Sequence, residues 1–413
     1  MDNFSLTSLG MVNSLGTDLQ SIWKGILAGD QTHLTPWMNP SKNKSTLLGK
    51  VPVEESSCLF PRPLSNYHCR NNVLIFKAYE QIESAVQERI HRFGPDRMGV
   101  VMGSSTSGVS ATESAVAQRH KTGSFPKDFH YIQHELGGAS EFLARLAGIQ
   151  GPCYTLSTAC SSSAKTFASA RALIRDGWCD AVLVGGADSL CNLTIEGFMA
   201  LESLSAEPAN SMSRNRKGFN VGEGASLFLM ERSTEPAIQL MGVGESSDAY
   251  HMSAPSPDGK GALSSMRMAL QDAGLSAGDI DYINLHGTGT LLNDSMEALS
   301  VSCLFPGVPA STTKGSTGHT LGAAGAMEVG ICWLSLQSED ASGNIHLPPH
   351  CWDGHVDSDF PKLTIVEPGM ILSRKDPGQN HPTNSKSRFI LSNSFGFGGS
   401  NCSIIIGSHV DDR

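Results

Sequence analysis

The chain has 413 residues, 39 % hydrophobic and 17 % charged, a globular balance that leaves room for two layered α/β units of about 150–200 residues each. Its formal net charge of −10 excludes nucleic acid and anionic membrane as default partners, and an acidic protein partner would need a local basic patch. The ten cysteines form no CxxC pair and read as reduced thiols. The opening MDNFSLTSLGMVNSLG has no basic region followed by a long apolar run. No segment approaches the roughly 18 apolar residues of a membrane span, so a cytoplasmic protein is expected.

In chain order, the first helical pattern is Val73–Ile90. An apolar run ending in glycine and serine follows at Arg97–Gly108, and a second at Asp180–Leu190. Between them, Tyr154–Gly177 turns from an extended run into a helix at Cys160 or Ser161. The polar, proline-bearing Met230–Leu240 reads as the join between two halves, 1–233 and 234–413. Beyond it come a helical pattern at Ser264–Leu275, an apolar run at Asp281–Thr290 and a helical pattern at Leu321–Gln337. A surface loop, Ser373–Arg388, precedes a final hairpin within Ser387–Ile406. Apolar strands alternating with helices predict α/β layers around buried sheets. The 43 glycines gather in short clusters, as tight turns around a site require.

Four clusters carry residues with chemistry. Cys160 stands where a helix begins, and the positive end of a helix favours a thiolate by about 0.3–1 kcal/mol, up to ~2 when partly buried. Against that, a lone buried cysteine is ordinarily a small hydrophobe. His286 in NLHGTGT and His319 in KGSTGHTLG each sit in a glycine-threonine setting. Two neutral imidazoles beside a thiol could polarise a carbonyl or stabilise charge developing on it. Either could equally be a satisfied structural histidine. No local ligand spacing supports zinc at Cys160, His286 and His319, so no metal is expected. The GxG in HGTGT lacks a dinucleotide fingerprint. In NSFGFGGSN, glycines let a backbone N–H approach a reacting oxygen while phenyl rings exclude water.

Together TACSSS, HGTGT, KGSTGH and NSFGFGG, in this order and across nearly the whole chain, resemble the β-ketoacyl synthases, the decarboxylating condensing enzymes of fatty acid and polyketide synthesis. The resemblance implies a thiolase-like fold with two similar βαβαβαββ halves in five alternating layers, normally dimeric. It makes Cys160 the acyl-accepting nucleophile, and His286 and His319 the pair that binds the malonyl thioester. Lys314 and Glu328, five residues before and nine after His319, match the supporting lysine and glutamate. Phe397 matches the residue whose N–H joins that of Cys160 in an oxyanion hole and whose ring gates the site. Thr288 and Thr290 match the threonines that bind the phosphopantetheine arm. No cofactor is bound in such an enzyme; its substrates ride on acyl carrier protein. A His-His pair, rather than His-Asn or His-Cys, is unlike acetyl-CoA-primed synthases and thiolases.

The chain departs from the family at three places. Asn210 replaces a carrier-docking arginine, leaving Arg62, Arg70, Arg214 and Lys217 as basic substitutes. Thr106 stands where the family limits acyl-chain length, and is small and polar. The join near Glu231 is short. With the CSSSAK run, these features are similar to aryl polyene-type ketosynthases, some of which pair with a chain-length factor lacking the nucleophile. Homodimer and heterodimer both remain open, as do a non-catalytic chain-length-factor-like role and a cysteine hydrolase.

Overall fold

The computed structural model describes residues 3–39, 44–232, 237–373 and 387–408. Ten strands carry the architecture. In the first half they are β1 (Phe4–Val12), β2 (Met98–Gly103), β3 (Cys153–Leu156), β4 (Ala181–Asp188) and β5 (Gly224–Arg232). In the second they are β6 (Ile238–Ser247), β7 (Tyr282–Asn284), β8 (Pro309–Ser311), β9 (Arg388–Gly396) and β10 (Ser400–Ser408). From the seam outward the first set runs β1-β5-β4-β2-β3 and the second β6-β10-β9-β7-β8, with a short edge strand, Thr364–Ile365, paired beyond β8 in the same eleven-stranded sheet. In both, the first two pairings are antiparallel and the next two parallel. The halves thus repeat one topology, and they meet where Ser5 pairs with Gln239.

Six helices complete the layers: α1 (Arg70–Glu80), α2 (Gly137–Ala147), α3 (Ser162–Arg175), α4 (Lys260–Ala273), α5 (Leu291–Leu304) and α6 (Ala324–Gln337). α1 packs on β1 and β5, and α2 on β2 and β3, covering one face of the first sheet. α4 packs on β6 and β10 and against α5, covering the outer face of the second. α3 and α6 lie between the sheets, each touching strands of both halves. Both faces of the central strands are therefore covered, and β2, β4 and β9 are buried along their full length, as near-continuous apolar runs require.

The main core lies in this middle layer, where Phe167, Val184, Phe228, Met327, Ile331 and Ile404 pack together; each such side chain contributes about 1.5–3 kcal/mol of burial. Small residues let α3 and α6 approach closely. A Cβ built on Gly325 would stand 2.6 Å from the Ala164 Cβ. α6 is buried almost all round, as suits a central helix.

The helical pattern Val73–Ile90 resolves into two helices, α1 and Glu83–Phe93. The break falls at Gln81, whose side chain turns inward, donating to Met11 O (3.0 Å) and Thr17 O (3.1 Å) and accepting from Met11 N (3.3 Å). Serving β1 ends the helix there. Residues 233–236, at the heart of the join, lie outside the described residues, as does the boundary between 233 and 234. So does most of the predicted loop, 374–386.

Candidate active site

The ends of β7, β9 and the β3–α3 and β8–α6 connections converge on one cavity of about 340 Å³. Cys160, His286, His319, Thr288, Thr290 and Phe397 all line it. Cys160 follows Ala159, which adopts φ 54°, a left-handed turn that thrusts the next side chain away from the strand. The three serines of TACSSS lock that turn. Ser161 Oγ donates to Thr158 O (2.8 Å), and Ser162 Oγ accepts from Thr158 N (2.8 Å) and donates to Ala159 O (2.6 Å). Ser163 Oγ accepts from Ala326 N of α6 (2.9 Å), tying the turn to the second half.

The helix proper starts at Ser162, so Cys160 lies just before its positive end. Burial nevertheless pushes the thiol up to about 11, against the pull of the Lys314 charge and of the Phe397 N–H, which reaches the sulfur. Burial thus outweighs the helix terminus. The resting group is a thiol. The helix start alone does not supply a thiolate, and the depth of burial that opposes it is not visible in the sequence.

His319 presents Nε2 to Cys160 Sγ at 3.1 Å. Its Nδ1 is buried without a hydrogen-bond partner, so no neighbour fixes its tautomer. The His286 ring stands edge-on to it, centroids 5.3 Å apart and planes at 84°. Lys314 Nζ lies 3.3 Å from His286 Nδ1 and donates to His286 O (2.6 Å). An ammonium has only donors, so Nδ1 accepts and the ring proton sits on Nε2. Lys314 is itself paired with Glu328, both fully buried. Burial pushes the Glu328 carboxyl up to about 7 against the pull of Lys314. Both histidines are held well below their ordinary value, first by burial and next by the Lys314 charge. They are neutral at physiological pH.

The HGTGT loop is braced from below by two carboxylates of α5 that the sequence reading missed. Glu297 accepts from His286 N and Gly287 N, each at 2.7 Å. Asp294 accepts from Gly289 N (3.1 Å) and Met212 N (2.7 Å). Their signal was two acids, three apart, on the helix that follows the loop. Thr288 Oγ1 and Thr290 Oγ1 lie 2.9 Å apart. Across the cavity, the Gly396 backbone backs onto the Cys160 turn; a Cβ there would stand 3.1 Å from Thr158 O and 3.2 Å from Cys160 N. Aromatic rings continue around the wall edge to face: Phe397 to Phe198 (5.7 Å), Phe198 to Phe219 (5.1 Å) and Phe219 to His319 (5.1 Å).

Although sequence spacing offered no metal motif, the Cys160, His286 and His319 ligand atoms all lie within 4.8 Å of one another. The Lys314 ammonium beside His286 works against a second cation there. Thr106 is not among the lining residues; its N and Oγ1 both donate to Asp188 Oδ1 at 2.7 Å. Arg70, offered by sequence as a docking cation, is buried and committed to Glu223 and to Val51 O. Arg62, Arg214 and Lys217 are exposed. Asn210 is bonded to Asp353 (2.8 Å). No helix of the described residues is long and apolar enough to cross a membrane.

Residues 3–235 match the family described as beta-ketoacyl synthase, N-terminal domain, and residues 238–348 its C-terminal domain. The chain is 29 % identical to nodulation protein E of Rhizobium meliloti, with 96 % of each chain covered. It is 28 % identical to 3-oxoacyl-[acyl-carrier-protein] synthase 2 of Coxiella burnetii, with 98 % of each covered. Among solved structures, the ketosynthase ApeO of Xenorhabdus doucetiae, determined in complex with its chain length factor ApeC, superposes with TM-score 0.89 at 41 % identity. That match covers 99 % of this chain and 98 % of the other.

Proposed function

The chain belongs to the β-ketoacyl synthase family, and from that premise we propose that Cys160, His286 and His319 carry its condensing chemistry. The observation that carries the assignment is the 3.1 Å approach of His319 Nε2 to a buried thiol, with a second neutral imidazole beside it. In the first half-reaction Cys160 Sγ attacks an acyl thioester held on the phosphopantetheine arm of acyl carrier protein. An S–C bond forms, the carrier thiolate departs, and the Cys160 proton passes through His319 Nε2 to it. The N–H groups of Cys160 and Phe397 cradle the tetrahedral oxyanion; one such donor typically accounts for about 2.7–4 kcal/mol.

In the second half-reaction malonyl carrier enters, its arm held by Thr288 and Thr290. The malonyl group loses carbon dioxide, and the electron pair released becomes an enolate. His286 Nε2–H, fixed in that tautomer by Lys314, and His319 stabilise the enolate oxygen as neutral donors. Glu328 holds Lys314 in place. The enolate carbon attacks the acyl-Cys160 carbonyl, the C–S bond breaks, β-ketoacyl carrier leaves, and the Cys160 thiolate takes up one proton from solvent by way of His319 Nε2. The Phe397 ring, set edge to face against Phe198, separates the two half-reactions.

The 41 % identity to the ApeO ketosynthase, determined with its chain length factor, supports a heterodimer with a chain-length factor in which this chain, carrying Cys160, is the active subunit; a polyene-type pathway in the cytoplasm is the reading its sequence features suggest. The test incubates the chain, alone and with a co-expressed homologue lacking the nucleophile, with acyl and malonyl carrier proteins. A mass increase on Cys160, absent from Cys160→Ala, and β-ketoacyl product only with malonyl carrier are expected. Acyl loading in Cys160→Ala overturns the nucleophile assignment. Free acid released without malonyl carrier establishes a hydrolase instead.

A further inference from the structure

Asp188 ends β4 with a carboxylate that is 0 % exposed, and every contact it makes is with a donor. Its Oδ1 accepts from Ser104 Oγ (2.8 Å), Ser105 N (2.9 Å), Thr106 N (2.7 Å) and Thr106 Oγ1 (2.7 Å). Its Oδ2 accepts from Ser105 N (3.0 Å) and Gly322 N (2.6 Å). Among the described residues no basic side chain pairs with it. A carboxylate surrounded only by donors is satisfied in its ionised form, although burial works the other way.

The donors come from two separate segments, Ser104–Thr106 and Gly322, and Ser105 ties a further one, the Cys160 turn, to the first; all three lead to the reacting atoms. Gly322 follows His319 by three residues. Ser105 Oγ donates to Ala159 O (3.2 Å), the residue before Cys160. Each segment also holds a non-glycine residue in the left-handed region: Ser107 at φ 45°, Ala159 at φ 54° and Leu321 at φ 52°. Such conformations cost about 1–3 kcal/mol each and persist only where surroundings hold them. There is no slack at the third segment, because a Cβ on Gly322 would stand 2.6 Å from Ser105 Oγ and 2.7 Å from Asp188 Oδ2.

We propose that Asp188 is a positioning residue that clasps the Cys160 and His319 turns together and so sets the distance between sulfur and imidazole. The proposal rests on the reading of Cys160 and His319 as the reacting pair. Asp188 touches no reacting atom. It fixes backbone, and its charge, close to the sulfur, is a small cost that the clasp carries. An amide cannot replace it, since one of its two polar ends would turn N–H donors toward Gly322 N or Ser105 N.

The test compares Asp188→Asn and Ser105→Ala with the wild type in the presence of its partner subunit, if one is required. Melting temperature, condensation kcat and KM for malonyl carrier, and the rate of Cys160 alkylation by iodoacetamide at pH 8 are measured. Loss of alignment predicts a fall in Asp188→Asn kcat of about 100-fold with KM little changed. Removing the negative charge predicts that Cys160 alkylation becomes faster. Lower condensation with a more reactive thiol counts for the clasp where the melting temperature is unchanged, since loosening that exposes a buried thiol would also speed its alkylation. Ser105→Ala, which keeps the carboxylate and deletes one hydroxyl link, should lower kcat roughly threefold to tenfold without loss of melting temperature. This variant decides the matter if Asp188→Asn does not fold. Unchanged kcat in a folded variant, or kcat and alkylation falling together, overturns the clasp. Acyl loading that survives Cys160→Ala would overturn the underlying reading instead, and is scored separately.

Discussion

His319 Nε2 stands 3.1 Å from Cys160 Sγ although the two residues are 159 positions apart in the chain. The contact joins a thiol held up to about 11 by burial to an imidazole held well below its ordinary value. Neither group is charged at rest, so under the proposed roles the reaction begins by moving a proton rather than from a standing ion pair.

For the thiol, a raised value means that thiolate appears only as pH climbs toward it; at pH 8 it is roughly one molecule in a thousand. Alkylation of Cys160 by iodoacetamide, followed by peptide mass, should rise about tenfold per pH unit from pH 7 to 9.5 with no plateau. A plateau between pH 7 and 8 would reveal a stabilised thiolate and refute this account.

For the imidazoles the sign is opposite. A lowered value keeps the ring neutral until pH falls below it, so decarboxylation of malonyl carrier should hold its rate from pH 8 down to pH 6. A loss centred at the ordinary histidine value of about 6.5 would contradict the depression. Lys314→Ala removes the second cause of that depression and should move the acid limb upward.

The two histidines should separate in their half-reactions. His286→Ala should lower malonyl decarboxylation by at least about 100-fold and leave acyl loading of Cys160 nearly intact. His319→Ala, which removes the proton acceptor at the sulfur, should slow both steps. Equal loss of both steps in His286→Ala would sink the division of roles.

The ring sequence Phe397–Phe198–Phe219–His319 connects the gate to an imidazole. Each edge-to-face pair contributes about 0.5–1.5 kcal/mol. Phe198→Leu should therefore reduce condensation about tenfold while acyl loading persists, measured by single-turnover kinetics. Equal effects on both steps would show that the stack has no gating part.

With Asn210 engaged by Asp353, Lys217 and, three residues before it, Arg214 are exposed cations. Lys217 lines the cavity and reaches Glu207 at 3.3 Å. Arg214→Glu with Lys217→Glu should raise KM for acyl carrier about tenfold at low salt with kcat little changed, and the penalty should shrink at high salt. Equal KM at all salt concentrations would place docking elsewhere.

The parts of this protein that were legible in its sequence are those where chemistry and local pattern coincide. Cys160 stood at a strand-to-helix change, and both histidines among glycines and threonines, because turns need those residues. The buried strands announced themselves as unbroken apolar runs. What stayed hidden depends on contacts between distant segments. Gln81 breaks a helix that continues in periodicity, because β1 needs its amide. Arg70 looked like a surface cation and is consumed by Glu223. Asp188 drew no notice in the sequence, since its donors, on Ser104–Thr106 and on Gly322, lie far from it in the chain. Cys160 itself showed its helix but not its depth.

The repeated strand order has one further meaning. Cys160 lies in the connection between β3 and α3, and His319 in that between β8 and α6. These are the same corner of the two halves. The pair that faces across 3.1 Å thus occupies one topological position, present twice, with sulfur in one copy and imidazole in the other. Asymmetric chemistry arises here at the axis of a symmetric scaffold, and neither copy separated from its twin holds more than half of a catalyst.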